Sequence, residues 1–157
     1  MAASRHRRRQ LKARTSSAPR RAAPRAADPV KATAPSPPDR LPIETIDKLA
    51  AIARDVLKDA ARSGGSLLTW GDLRLRMAGG LPHLHPDDQG ELLVAVDRET
   101  PVGEPLLSTL VASSDASLHW LYRHVRFSLG RECIPEPDLP AHWATEVLRL
   151  RQTWRHR

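Results

Sequence analysis

The sequence predicts a mainly α-helical protein with a small β component, organised as a winged helix-turn-helix-like domain followed by C-terminal helices. Apolar residues recur at three- and four-residue spacing in several segments, and glycine pairs and prolines separate those segments. One run rich in Leu, Val and Thr has the composition of a strand. The predicted order is therefore helix, short strand, helix, helix, then a strand or hairpin. A small α+β domain with an unpaired strand and an all-helical bundle are the alternatives.

The first helix is predicted to begin after Pro42 and to end at Ser63-Gly64-Gly65, where a glycine can adopt the left-handed cap. Its apolar stripe contains Ile46, Leu49, Ile52, Ala53, Val56, Leu57 and Ala60. Leu67-Leu68 is a short apolar run, after which Thr69 and Asp72 have the spacing of a capping box. A short second helix follows, with Trp70, Leu73 and Met77 on one face, and it stops at Gly79-Gly80.

Pro86 suits the first turn of a third helix, whose positive N-terminal end Asp87 and Asp88 would complement. This helix is predicted to run to about Glu99. Leu106–Ala112 is predicted to be a strand, and residues 113–116 a turn. Together with a return strand, these residues would form the wing.

A fourth helix is predicted over residues 118–129, closed by Gly130, although residues 118–121 could instead pair as a short return strand. A linker follows from residue 131, and a last amphipathic helix begins at Pro140. Its stripe contains Trp143, Val147, Leu150 and Trp154. We therefore expect a winged-helix-like domain over residues 41–130, with the linker and the C-terminal helix of residues 131–157 packed on it.

Charge divides the 157-residue chain into two unlike parts. Residues 1–40 contain nine Arg and two Lys against two Asp and carry a charge of +9, whereas residues 41–157 carry −2. The first 40 residues also contain six prolines and few large apolar side chains, so we expect a disordered basic tail. Arg5, Arg7, Arg8 and Arg9 form a cationic cluster that could neutralise phosphates of nucleic acid. A solubilising tail and an organellar targeting peptide are the other interpretations.

Four segments carry a resemblance: Val96-Asp97-Arg98-Glu99-Thr100-Pro101, Glu104-Pro105-Leu106-Leu107-Ser108, Leu121-Tyr122-Arg123-His124-Val125-Arg126, and the end of the chain from His142-Trp143 to Trp154-Arg155-His156-Arg157. Together they resemble a family of uncharacterised actinobacterial proteins over roughly residues 66–157. The resemblance implies no established activity.

More loosely, Leu68-Thr69-Trp70-Gly71-Asp72-Leu73 is similar to the strand-to-helix step in the DNA-binding domain of alkylguanine-DNA alkyltransferases. That family's Pro-Cys-His-Arg motif is missing, because Cys133 lies in Arg131-Glu132-Cys133-Ile134-Pro135. This second resemblance implies a winged-helix shape without the repair chemistry.

No group of residues predicts catalysis, a metal site or a cofactor. Cys133, the one cysteine, has no adjacent base in sequence. His83, His85, Asp87 and Asp88 have a metal-like spacing, but the two acids suit a helix start equally well. Ser108, Asp115 and His119 supply the residue types of a hydrolase triad without a nucleophile elbow. We therefore expect a protein that is not an enzyme.

The third helix carries Asp87, Asp88, Glu91, Asp97 and Glu99 against Arg98 alone, which disfavours its insertion into a DNA groove. Arg123 and Arg126 on the fourth helix are the candidate phosphate-binding residues of the domain. The sequence thus predicts a cytoplasmic adaptor without a membrane span, which binds a protein partner or a second copy and holds nucleic acid non-specifically through its tail. The alternative is a DNA-binding transcriptional regulator that uses residues 118–129, the wing and the tail.

Overall fold

A central helix, α3, lies between two others, α1 and α4, in a computed structural model that describes residues 38–64 and 66–155. The last helix, α5, packs on α1, and the short helix α2 also contacts α1. The bounds of the five α-helices in the described ranges are Ile43–Arg62 (α1), Trp70–Arg76 (α2), Pro86–Asp97 (α3), Leu121–Ser128 (α4) and Leu139–Arg155 (α5). The mainly α-helical prediction is confirmed.

Helix α1 buries the predicted stripe except at Val56, which is partly buried, and at Ile52. Its buried residues follow the steps Leu49, Ala53 and Leu57, whereas Ile52 is 49% exposed. Ile52 lies about 100° around the helix from Ala53, so it falls on the flank of the stripe. The sequence predicts burial of Ile52 because it lies three residues after Leu49. In the structure, burial instead follows the residues spaced by four, Leu49, Ala53 and Leu57.

The capping box of α2 forms as predicted. The amide of Asp72 donates to Oγ1 of Thr69 at 3.1 Å, and the amide of Thr69 donates to Oδ2 of Asp72 at 2.9 Å. The hydroxyl of Thr69 also donates to Oδ2 of Asp72, at 2.7 Å, and this bond, together with the one from the amide of Thr69, lowers the pKa of Asp72. Because both amides would otherwise lack partners, the pair fixes where this seven-residue helix begins.

Residues 106–112 do not form the predicted strand. Leu107–Leu110 is a 3-10 helix, and its first amides donate to the buried carboxylate of Asp97, Leu107 at 2.8 Å and Ser108 at 2.9 Å. Burial raises the pKa of Asp97, although these hydrogen bonds act against that rise. A side chain ten residues upstream thus supplies the acceptors that a neighbouring strand would have supplied.

The expected β component is reduced to two isolated bridges. Leu68 pairs with Val111 in parallel orientation, and Ala112 pairs with Leu118 in antiparallel orientation across the turn of residues 113–117. Within residues 38–64 and 66–155 no strand is present. The predicted two-stranded wing is therefore absent from the described residues, and a tight turn occupies its position.

Helix α4 begins at Leu121, three residues later than the predicted bound, because Leu118 is held in its bridge to Ala112. Helix α5 buries Trp143, whose indole N–H donates to the carbonyl of Thr109 at 2.9 Å. Trp154, predicted on the same stripe, is only half-buried, and the guanidinium of Arg62 lies 5.2 Å from its ring centre.

Two of the α3 carboxylates are buried and structural. Asp88 is fully buried, and it accepts hydrogen bonds from Nε of Arg40 and from the amide of Leu41, the latter at 2.9 Å. Asp97 accepts the amides of Leu107 and Ser108. Arg40, the last residue of the predicted tail, thus contacts the fold.

None of the helices in the described part of the chain has the length and apolar character needed to cross a membrane.

Candidate functional site

Two large aromatic side chains project into solvent, Trp120 at the N-cap of α4 and Phe127 in the last turn of the helix. They are 62% and 78% exposed. Because Leu121, Tyr122 and Val125 turn one side of α4 toward the core, residues 120, 123, 124 and 127 fall on the opposite side at helical spacing. An exposed Trp and an exposed Phe seven residues apart form an aromatic surface on one side of α4.

This surface borders a groove with a cavity volume of about 430 Å³. One wall is α4, and the other is the segment that connects α4 to α5. The groove is lined by Trp120, Arg123, His124, Arg126, Phe127, Arg131, Glu132, Cys133, Ile134 and Leu139. We call this feature the α4 groove. Its volume lies within the range of pockets that hold an aromatic group or a small ligand.

The α4 groove carries a surplus of positive charge. Three arginines line it against one acid, Glu132. Arg126 donates to the carbonyl of Glu132 at 3.0 Å and lies over the ring of Tyr122. Arg131 donates to the carbonyls of Thr100 and Pro101 at 3.0 and 2.8 Å. These backbone partners position the two guanidinium groups without neutralising them.

Arg123 is the remaining arginine, and it forms an ion pair with Glu136. Both side chains are more than half exposed, so water screens this pair. Arg123 can therefore exchange Glu136 for another acid at little cost.

A second, shallower depression of about 220 Å³ adjoins the α4 groove, and Trp120 and His124 line both. The N-terminal half of α3 forms its other side, with Asp87 and Glu91. Oδ2 of Asp87 accepts a hydrogen bond from Nη1 of Arg40 at 3.0 Å. We call this feature the α3 depression. Arg40 also lines the α3 depression, so its lining carries two carboxylates and one cation. Trp120 and His124 thus form a ridge with a net positive lining on one side and a net negative lining on the other.

A buried histidine, His119, packs against the indole of Trp120. His119 is 7% exposed, and its ring stacks on the indole of Trp120 with 5.8 Å between the ring centres. The indole N–H of Trp70 donates to Nε2 of His119 at 3.1 Å, and the amide of Leu121 lies 3.2 Å from Nδ1. Burial lowers the pKa of His119. The neutral ring offers one acceptor nitrogen, which the imidazolium would lack.

The structure places both predicted phosphate-binding residues of the domain, Arg123 and Arg126, in the α4 groove. The predicted tail residues Arg5, Arg7, Arg8 and Arg9 lie outside the described residues.

Only part of the acid content of α3 bears on contact with DNA. Its buried carboxylates, Asp88 and Asp97, would not meet DNA, so the acid content of the helix overstates the repulsion. Along α3 only Pro86, Asp87 and Glu91 are exposed. The small face that α3 leaves exposed thus carries two carboxylates and no cation, which disfavours its insertion into a DNA groove.

The candidate catalytic and metal-binding residues have structural partners instead. Asp115 accepts hydrogen bonds from the amide and hydroxyl of Ser117, and these bonds lower its pKa. His119 contacts Trp70 rather than Ser108. Among the described residues no three His, Cys, Asp or Glu side chains are grouped so that they could hold a metal ion. Cys133 is exposed and lines the α4 groove.

The sequence predictions missed the two residues that dominate this surface. Trp120 was assigned to a strand or a helix start, and Phe127 received no role. A signal was present, because the positions opposite the Leu121 and Val125 stripe hold Trp, Arg, His and Phe where a solvated helix face is usually charged throughout.

Comparisons of the chain with protein-family models, with curated proteins and with solved structures found no match.

Proposed function

We propose that this chain is a non-enzymatic, winged-helix-like cytoplasmic adaptor that binds a protein partner through the α4 groove and binds nucleic acid non-specifically through its basic tail. The observation that carries the proposal is the exposure of Trp120 and Phe127 beside one groove. Trp and Arg are the residues most enriched among those that dominate binding energy at protein interfaces. The groove presents both, together with an apolar floor that a partner would dehydrate.

The order of α1, α2 and α3 supports the winged-helix-like part of the proposal. The bridge from Leu68 to Val111 supports it too, because Leu68 lies between α1 and α2, where a winged helix has its first strand. In this interpretation α3 serves as a core helix. The proposed binding surface lies on α4 instead, directly after the turn of residues 113–117 that occupies the position of the wing.

A DNA-binding transcriptional regulator is the second candidate, favoured by the position of Arg123 and Arg126 on the solvent side of α4. One observation weighs against it. The turn of residues 113–117, which would act as the wing, contains Asp115 and no Lys or Arg. A wing without cations lacks the counterion release that Lys and Arg contribute to phosphate binding.

The test uses full-length protein with a photo-crosslinking side chain at position 127, and at position 102 as control. Val102 is 92% exposed and lies outside the α4 groove. We expect a discrete crosslinked protein from position 127 only. Purified and titrated by calorimetry, that protein should bind the wild type and Val102→Ala, and bind Phe127→Ala at least about tenfold more weakly.

An equal affinity for the wild type, Trp120→Ala and Phe127→Ala would refute the groove as the docking site. Preference of the chain lacking its tail for one duplex sequence over others would support the regulator instead.

A further inference from the structure

We infer that the α4 groove and the α3 depression together form a self-complementary surface, through which two copies of this chain associate about a two-fold axis near Trp120. This inference rests on the proposed function and names the partner as a second copy. Charge and the placement of the apolar side chains both favour a second copy as the occupant of this surface.

Opposite charges flank the ridge of Trp120 and His124. Arg123, Arg126 and Arg131 line the α4 groove against one acid, Glu132, and Asp87 and Glu91 line the α3 depression against one cation, Arg40, so the two linings keep opposite net charges. A two-fold axis through the ridge would bring the basic side of each copy onto the acidic side of the other. Each ion pair between the two copies then occurs twice, because the two-fold axis repeats it. These pairs also fix the relative orientation of the two copies.

The apolar side chains fit the same axis. A Trp next to a two-fold axis meets its own counterpart or the groove beside it. Trp120 is 62% exposed, and the groove that it borders has a volume of about 430 Å³ with Ile134 and Leu139 in its lining. The indole of one copy can enter the groove of the other, which removes both aromatic surfaces from water.

The basic tail of the same chain is a poor occupant by comparison. Residues 1–37 carry +9, and the three arginines of the groove would repel them. Among the segments of this protein, the α3 depression of a second copy is the better match. An acidic peptide from another protein shares this chemistry, and the experiment distinguishes the two.

Sedimentation of the full chain over a range of concentrations tests the dimer. We expect a concentration-dependent dimer for the wild type and for the controls Val102→Ala and Leu75→Ala, whose side chains are 92% and 79% exposed outside this surface. Trp120→Ala and Phe127→Ala should raise the dimer dissociation constant at least about tenfold. Unchanged circular dichroism spectra would establish that each variant is folded.

A charge exchange tests the symmetry. Glu91→Arg and Arg123→Glu should each weaken self-association, because each places like charges opposite one another in both symmetry-related contacts. Mixed in equal amounts, the two variants should form a heterodimer, since each contact then joins opposite charges again. Affinity tags of different mass on the two variants would identify that species.

A wild-type chain that stays monomeric at the highest concentration it tolerates would overturn this inference. If the protein crosslinked from position 127 then proved to be a different chain whose binding Phe127→Ala weakens, the adaptor proposal would stand without the dimer. A dimer that persists in both aromatic variants, or that is lost on removal of residues 1–37, would also overturn the inference, because another surface would then hold the two copies.

Discussion

Trp70 donates its indole N–H to Nε2 of His119 across 3.1 Å, and this contact joins the start of α2 to the segment that supports Trp120. The acceptor exists only while the imidazole is neutral, and burial lowers the pKa of His119 below its ordinary value of 6.5. Protonation of His119 would therefore both destabilise the fold and weaken the packing beneath Trp120.

The first prediction concerns pH. The pKa of His119 is lower in the folded than in the unfolded chain, so its stabilising contribution is complete above about pH 6.5 and declines as the pH falls below that value. Denaturant unfolding of the wild type should show lower stability at pH 5.5 than at pH 7.5. His119→Gln should flatten this dependence in part.

A second group contributes with the same sign. Burial lowers the pKa of His142, whose Nδ1 lies 2.9 Å from the hydroxyl of Tyr122. Burial also raises the pKa of Tyr122 to about 12, which keeps the hydroxyl protonated as a donor to the neutral ring. His142→Gln should therefore remove a further part of the dependence, whereas His83→Gln, at an exposed site, is the control. An unchanged pH profile in His119→Gln would contradict the assignment.

The second prediction concerns Asp97. Replacement by Ala would leave the buried amides of Leu107 and Ser108 without acceptors, and each such donor costs about 1–3 kcal/mol. We expect Asp97→Ala to lower the free energy of unfolding by roughly 2–4 kcal/mol in urea denaturation. Asp47→Ala, which removes an exposed partner of Arg98, should cost less than about 1 kcal/mol. Equal costs for the two variants would show that the 3-10 helix does not depend on Asp97.

The contrast between α2 and residues 106–112 explains what the sequence could predict. The start of α2 is set by Thr69 and Asp72, three residues apart, so local spacing contains the answer. The composition of residues 106–112 favours a strand, but Asp97 captures their first amides from a distant helix end. Nothing local encodes that contact, because it requires α3 to be already packed.

The same distinction applies to the candidate surface. The helical spacing of Trp120, Arg123 and Phe127 is visible in the sequence, but which side of α4 faces solvent depends on its packing against α3. Gly90 contributes to that packing, since a Cβ there would lie 3.0 Å from the ring of His124. The contact of Arg40 with Asp88 spans 48 residues and was likewise beyond any local pattern.

The third prediction therefore revises where the tail can be cut. A disordered tail of residues 1–40 would be dispensable for stability, but its removal would take Arg40 away from the fully buried carboxylate of Asp88. A chain that begins at Leu41 should melt at a lower temperature than one that begins at Pro38. Arg40→Ala in the longer chain should reproduce the loss. Equal melting temperatures for all three would mean that Asp88 needs no partner there.

The fourth prediction separates the two tryptophans of α5. Trp143 is buried and hydrogen-bonded to Thr109, so Trp143→Ala should cost about 3–5 kcal/mol. Trp154 is half-buried against Arg62, and Trp154→Ala should cost roughly 1–2 kcal/mol rather than the larger value that full burial predicts. Urea unfolding of both variants measures the difference. A larger loss for Trp154 would show that the end of α5 carries more of the core than its exposure indicates.

The last prediction assigns nucleic-acid affinity to the tail. Residues 1–37 hold eight Arg and two Lys against Asp28 and carry +9, whereas residues 38–157 carry −2. Binding to duplex DNA should be independent of sequence, and its logarithm should fall with the logarithm of salt at about −0.9 per phosphate neutralised. If five to eight arginines engage, the slope for the full chain is roughly −4 to −7.

Fluorescence titrations across a salt series, on one random duplex and several defined ones, measure this slope for the full chain and for a chain that begins at Pro38. The shorter chain retains Arg40 and its contact with Asp88, so a loss of binding reflects the tail and not a weakened fold. We expect little binding from it, because Arg123, Arg126 and Arg131 offer too few cations to offset an acidic domain. Tight binding of the shorter chain to one duplex would instead make α4 a sequence-specific surface. Arg123→Ala and Arg126→Ala should then abolish that preference, with Arg76→Ala, an exposed arginine on α2, as the matched control.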